Sequence, residues 1–151
     1  MKSVNKFNLI ERYEEGIIKL KEKGIFVCGL FMFGFDGDQP DVVAKTIDFS
    51  IKNCLDEVTL QILRPLPGTK TFERFKEEGR ITTFDWTKYE GCVIVPKNLD
   101  PKVVIKDINQ AYRKFFSLLY IIKRMRGLKD YSIKRLYIYF MINLSGWWKT
   151  K

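Results

Sequence analysis

Ile25-Phe26-Val27-Cys28-Gly29-Leu30-Phe31-Met32-Phe33, followed at once by Gly34-Phe35-Asp36-Gly37-Asp38, joins an apolar run without alternation to a turn of two glycines and two carboxylates. A run of that kind, bounded by a helix on each side, reads as a strand of a parallel sheet covered on both faces. Before it, Asn8-Leu9-Ile10-Glu11 has the form of a capping box. Ile10, Tyr13, Ile17 and Leu20 recur at helical spacing as far as Gly24, which predicts a helix over about residues 9–23.

After the strand, Asp38 is placed to cap a second helix with Pro40 in its first turn. Val43, Ile47, Ser50 and Cys54 would line one face of that helix. Glu57–Leu63 reads as the next strand, opening into Arg64-Pro65-Leu66-Pro67-Gly68-Thr69. A third helix follows over about residues 70–78 and stops at Gly79. The order α-β-α-β-α leaves room for parallel crossovers, so the class is α/β. Two strands make a poor sheet, and the pattern looks like part of something larger. Exposed edges predict a chain prone to aggregate alone.

Residues 80–100 read as irregular, with a short strand at Cys92-Val93-Ile94-Val95. Asp100-Pro101 then opens a long helix whose apolar stripe runs from Val104 to Met125 and ends at Gly127. A last helix is predicted over about 132–144.

Composition narrows the chemistry. The 151 residues contain no histidine, which excludes imidazole catalysis and His-ligated metals. Cys28, Cys54 and Cys92 are spaced as neither a metal site nor a disulfide framework, and read as buried, reduced thiols. No apolar run reaches the roughly 18 residues of a spanning helix, and Met1–Lys6 lacks the apolar centre of a signal peptide. The expectation is a cytoplasmic chain, at most peripheral to a membrane.

In a parallel α/β sheet, ligands sit beyond the carboxyl ends of the strands. Two loops take that place here, Gly34–Asp38 and Arg64–Thr69. From spacing alone, the glycines could simply make the turn and Asp38 simply cap a helix. Asp36-Gly37-Asp38 lacks the rest of a Ca²⁺ loop.

The stretch 29–38, followed by Arg64-Pro65-Leu66-Pro67-Gly68-Thr69, resembles the C-terminal half of a radical S-adenosylmethionine domain. The resemblance is to its cobalamin-binding members, the group of magnesium-protoporphyrin ester cyclase and hopanoid-modifying enzymes. Val4-Asn5-Lys6, Glu77-Glu78-Gly79-Arg80-Ile81, Asp85-Trp86 before Tyr89, Pro96–Pro101 and Ala111–Phe116 add to it. It implies a partial (β/α) barrel fragment: the last two parallel strands with their helices over residues 1–79, and a mainly helical extension over 80–151. It implies S-adenosylmethionine as cofactor, with Phe33, Gly34, Phe35 and Asp36 beside its adenosyl portion and Leu66 and Pro67 near the adenine. The parent activity would be radical modification of an organic substrate, assisted by cobalamin.

The 4Fe-4S cluster of that family needs CxxxCxxC, and no two cysteines here lie within 25 residues of each other. The ligands for cluster and cobalamin are thus absent, no catalytic or metal-ligating residue is assigned, and the chain is expected to be inactive alone. A missing N-terminal half acting in trans is one expected partner.

Charge divides the chain. Residues 1–100 carry 15 Lys/Arg and 16 Asp/Glu, whereas 101–151 carry 12 Lys/Arg against Asp107 and Asp130. Lys123, Arg124, Arg126 and Lys129, then Lys134, Arg135, Tyr137, Tyr139, Trp147, Trp148 and Lys149, interleave cations with aromatics. Three readings stand: a helix packed on the sheet with a solvated basic face, an anionic membrane surface, and nucleic acid. Nucleic acid is disfavoured because the apolar content is too continuous for a solvated groove. The non-enzymatic alternative is an accessory module that uses this tail on a membrane or a partner protein.

Overall fold

A computed structural model describes residues 10–89, 91–128 and 132–148. The Asn8 cap, the Val4–Lys6 motif, Lys129, Asp130 and Lys149 lie outside them. The chain is α/β, with two parallel strands and six α-helices among the described residues. Helix α1 (Ile10–Glu22) leads into strand β1 (Cys28–Phe33), helix α2 (Val42–Lys52) crosses over to strand β2 (Glu57–Ile62), and helix α3 (Lys70–Glu77) follows. Thr69 caps α3, its hydroxyl accepting from the Phe72 N–H. Helices α4 (Pro101–Phe115), α5 (Leu118–Arg124) and α6 (Ile133–Trp148) complete the order.

The strands run in register from Cys28 opposite Glu57 to Phe33 opposite Ile62. Their inner face carries Phe31, Phe33, Val58 and Leu60 against Val43, Ile47 and Ile51 of α2. The expected cover on both faces is not found. Leu30 is 75% exposed and Met32 45%, on the face that also bears Thr59 and Gln61. The apolar run therefore marks a strand whose second face has no cover among the described residues.

Helix α4 lies on α2, and Val104, Ile108, Ala111 and Phe115 join the same core as the strands. The Tyr112 hydroxyl accepts from the Leu60 N–H at 2.8 Å, so β2 has a polar cover on backbone that would otherwise seek another strand. A second, smaller core gathers Phe75, Val93 and Ile94.

Other details depart from expectation. Asp38 does not cap α2; its carboxylate turns back to accept from the Gly34 and Phe35 N–H groups, and α2 starts after Asp41. Residues 92–95 form no strand, only an antiparallel bridge between Ile81 and Ile94. The long C-terminal helix is broken at Ser117, where an extended backbone (ψ 146°) redirects the chain into α5. The last helix continues to Trp148. The cysteines are not buried: Cys28 is exposed, and Cys54 and Cys92 are partly so.

The break at Ser117 brings Arg124 into the interior, where it is only 1% exposed. Its guanidinium donates to the carbonyls of Leu55, Asp56 and Phe115 and to Asn143 Oδ1. Beside it, Lys21 and Asp56 form a buried ion pair at 2.6 Å, and Asp56 also accepts from the Val27 N–H. One cation of the basic cluster is thus a packing element, not a surface charge.

Candidate functional site

The carboxyl ends of β1 and β2 deliver their loops side by side, because parallel strands in register must end together. The Leu63 N–H donates to the Phe33 carbonyl at 2.7 Å, which locks the two loops at their roots. Gly34 sits against Leu63 with φ of +102°, a conformation that L side chains rarely adopt. Asp38 closes the first loop by taking both N–H groups of the Gly34–Phe35 turn at 2.8 and 3.0 Å.

Asp36, at the outer end of that loop, meets Arg80 at 2.6 Å. Arg80 also reaches Glu78 at 2.7 Å, donates from Nε to the Val95 carbonyl at 2.8 Å, and lies 4.4 Å from the Phe75 ring centre. Arg74 and Lys97 approach Asp36 at 3.7 and 4.0 Å. Three cations thus face two carboxylates. The hydrogen bond from Arg80 holds the Asp36 carboxyl below the usual carboxylate range, against a smaller opposing effect of burial. The loops are braced from outside as well: Asn98 donates to the Asp36 carbonyl and the Tyr89 hydroxyl to the Pro65 carbonyl.

The six residues singled out in the sequence take different places. Phe33 is buried in the main core, so its side chain is not offered to a ligand. Gly34 is buried, and its N–H is taken by Asp38. Phe35 is half-buried, and Asp36 is half-buried within its ion pairs. Leu66 and Pro67 stand exposed on the second loop. Sequence reasoning missed the Arg74, Arg80 and Lys97 cluster. Arg80 was present in the Glu77–Ile81 motif, but nothing in its spacing pairs it with a carboxylate 44 positions upstream.

No family model matches the chain, and no solved structure matches it. Curated relatives do match. A bacteriochlorophyllide d C-12(1)-methyltransferase of Chlorobaculum tepidum is 33% identical over 130 residues, covering 84% of this chain and 28% of that protein. A bacteriochlorophyllide d C-8(2)-methyltransferase of the same organism is 31% identical over 60% of this chain and 20% of its own length. An uncharacterized methyltransferase of Pyrococcus horikoshii is 29% identical over 64% of this chain and 21% of its length. The chain spans about a quarter of the length of the relatives it matches.

These relatives correct the family expectation. They are named methyltransferases, neither ester cyclases nor hopanoid-modifying enzymes, and they point to methyl transfer in place of radical modification with iron–sulfur and cobalamin. Cys28 lies on the open sheet face, Cys54 follows α2, and Cys92 belongs to the smaller core. Among the described residues no three Cys, His, Asp or Glu side chains come together as a metal site.

Proposed function

We propose that this chain is a segment of a methyltransferase that uses S-adenosylmethionine as methyl donor. The observation that carries the reading is the meeting of two strand-end loops beside an open sheet face, in a chain whose relatives are named for methyl transfer. S-adenosylmethionine supplies, when bound, a methyl group on a positively charged sulfur. Leu66 and Pro67 give the apolar contact for an adenine ring, and the Asp36 side of the Gly34–Asp38 loop gives the polar contact, with Phe33 and Gly34 shaping the loop from below. Leu30, Met32, Thr59 and Gln61 floor the space beside it.

Residues 1–79 are, in this reading, the closing part of a (β/α) barrel, and 80–151 its helical extension. Two features support this: β2 is covered at Leu60 by Tyr112, and β1 has no second strand beside it among the described residues. The remaining strands would come from an N-terminal portion in cis or in trans. The acceptor belongs to the bacteriochlorophyllide class named for two of the relatives, and the protein works at the periphery of a membrane. No described helix is long and apolar enough to cross one.

The test pairs the full chain with the N-terminal portion of the bacteriochlorophyllide d C-12(1)-methyltransferase and follows transfer of labelled methyl to bacteriochlorophyllide d. Transfer that needs both pieces, and that falls with Leu66→Asp, is the expected result. Failure of the assembled pair to bind S-adenosylmethionine would overturn the reading.

A further inference from the structure

Helix α6 is apolar on the wrong side. Its inner stripe, Leu136, Tyr139, Asn143 and Gly146, packs against the body, and the outward half of the helix should be polar. Instead Ile133, Tyr137, Met141 and Leu144 recur there at intervals of four, four and three, with Ile133 88% exposed. Helix α5 repeats the pattern. Ile121 and Arg124 face inward, while Leu119 at 70% and Ile122 at 55% face out. The two helices are tied by Tyr139 to the Ile121 carbonyl and by Arg124 to Asn143, so they carry their outer faces as one unit.

Cations lie on and beside this apolar surface. Lys123 is exposed in the last turn of α5, Arg126 just beyond its end, and Lys134 at the start of α6. Only Asp107 and Asp130 are acidic in the whole of 101–151, against 12 Lys and Arg. An outer face of aliphatic and tyrosyl side chains edged by cations matches an anionic lipid surface, whose acyl boundary accepts the former and whose headgroups attract the latter. A protein interface would gain nothing from so one-sided a charge unless its partner were strongly acidic. With 16 residues at about 1.5 Å each, α6 is about 24 Å long, enough to lie flat on a bilayer.

We infer that the outer faces of α5 and α6 form a docking surface for anionic membranes, with Leu119, Ile122, Tyr137 and Met141 inserted and Lys123, Arg126 and Lys134 against headgroups. This gives a specific surface to the peripheral location proposed above. It stands apart from methyl transfer, because binding to lipid requires neither donor nor acceptor.

The test is flotation of the full chain with vesicles in a density gradient, which leaves aggregated protein at the bottom. Vesicles of phosphatidylcholine alone are compared with vesicles containing phosphatidylglycerol. The chain should float with the second kind only and should be released as salt rises from about 0.05 to 0.5 M. Lys123→Glu with Lys134→Glu should weaken binding by at least roughly fivefold for each cation removed. Ile122→Ser with Met141→Ser should weaken it separately, leaving the circular dichroism of the chain unchanged. Equal flotation with neutral vesicles would overturn the electrostatic part, and none at low salt would overturn the whole. Self-association or oligonucleotide binding abolished by these same substitutions, without flotation, would assign the surface to a second copy or to nucleic acid instead. Each of these outcomes leaves the methyl-transfer assay unaffected.

Discussion

The guanidinium of Arg124 lies 3.6 Å from the centre of the Phe115 ring, while one of its amino groups donates to the Phe115 carbonyl at 2.8 Å. The same residue thus stacks on a side chain of α4 and satisfies the last turn of that helix. Its remaining hydrogen bonds run to Leu55 and Asp56 at the entry to β2 and to Asn143 on α6. One cation thereby joins the strand pair, α4 and α6, and burial lowers its pKa from the ordinary arginine value. The kink at Ser117 is what brings it there.

Replacing Arg124 with methionine should therefore cost far more than a surface change. Each buried carbonyl left without a donor costs ~1–3 kcal/mol, so three of them together should cost about 3 kcal/mol or more. Arg124→Lys should recover only part, because an ammonium lacks the planar fork that reaches several acceptors. Urea unfolding followed by circular dichroism measures this. A loss under about 1 kcal/mol for the methionine variant would show that the contacts are not formed in solution.

The neighbouring pair, Lys21 and Asp56, should respond as a unit. Asp56→Ala strands a buried ammonium and should cost about 3–5 kcal/mol, whereas Lys21→Met with Asp56→Leu should cost less than either single change would suggest. The Val27 N–H loses its acceptor in both cases, which sets a floor on recovery. A double-mutant cycle with no coupling would remove the pair from the account of stability.

These interactions mark the limit of what the sequence made legible. Helices α1, α2 and α3 and both strands follow from apolar spacing, Gly24 and Gly79, because those signals are local. The partly exposed strand could not be foreseen. Leu30 and Met32 look like core residues whether or not anything covers them. Asp38 showed the same ambiguity, since a carboxylate after a glycine turn caps a helix or closes its own loop with equal ease. Arg124 sat within a basic cluster, and composition does not reveal which member turns inward. The candidate loops were recognisable, but the cations that occupy Asp36 come from residues 74–97.

The Asp36–Arg80 pair should give the loop an acid limit. A carboxyl held lower in the folded chain contributes stability that is complete above its unfolded pKa and is lost as pH falls through the folded value. Loop protection, followed by hydrogen exchange at the Phe35 and Asp38 amides, which donate to the Asp38 carboxylate and the Phe35 carbonyl, should therefore weaken below about pH 4. Asp36→Asn should show weaker protection at neutral pH and little further change on acidification. An unchanged acid limb in that variant would assign the titration to another group.

Tyr139 should mark the alkaline side. Its hydroxyl donates to the Ile121 carbonyl, and burial pushes its pKa up to about 12. A raised phenol contributes stability that is full below the unfolded value near 10 and disappears as pH climbs through about 12. Ultraviolet titration should show one tyrosine ionising together with loss of helix. Tyr139→Phe should remove that step at a cost of about 1 kcal/mol from the lost hydrogen bond.

Gly146 provides a test in which two rules give opposite signs. It lies within α6, where alanine is ordinarily better than glycine by about 1 kcal/mol. Its position against α4, however, leaves no room: a β-carbon there would stand 2.4 to 2.6 Å from ring atoms of Phe116. That ring is buried and makes an edge contact with Phe115, so it cannot simply swing out to solvent. Gly146→Ala should therefore destabilise by about 1–3 kcal/mol despite its better helix propensity. With Phe116→Leu in the same chain, much of the loss from the added methyl should vanish, because the smaller side chain frees the space. Thermal melts of the four chains decide the matter. A stabilising Gly146→Ala would mean that α6 does not pack on α4 through this glycine.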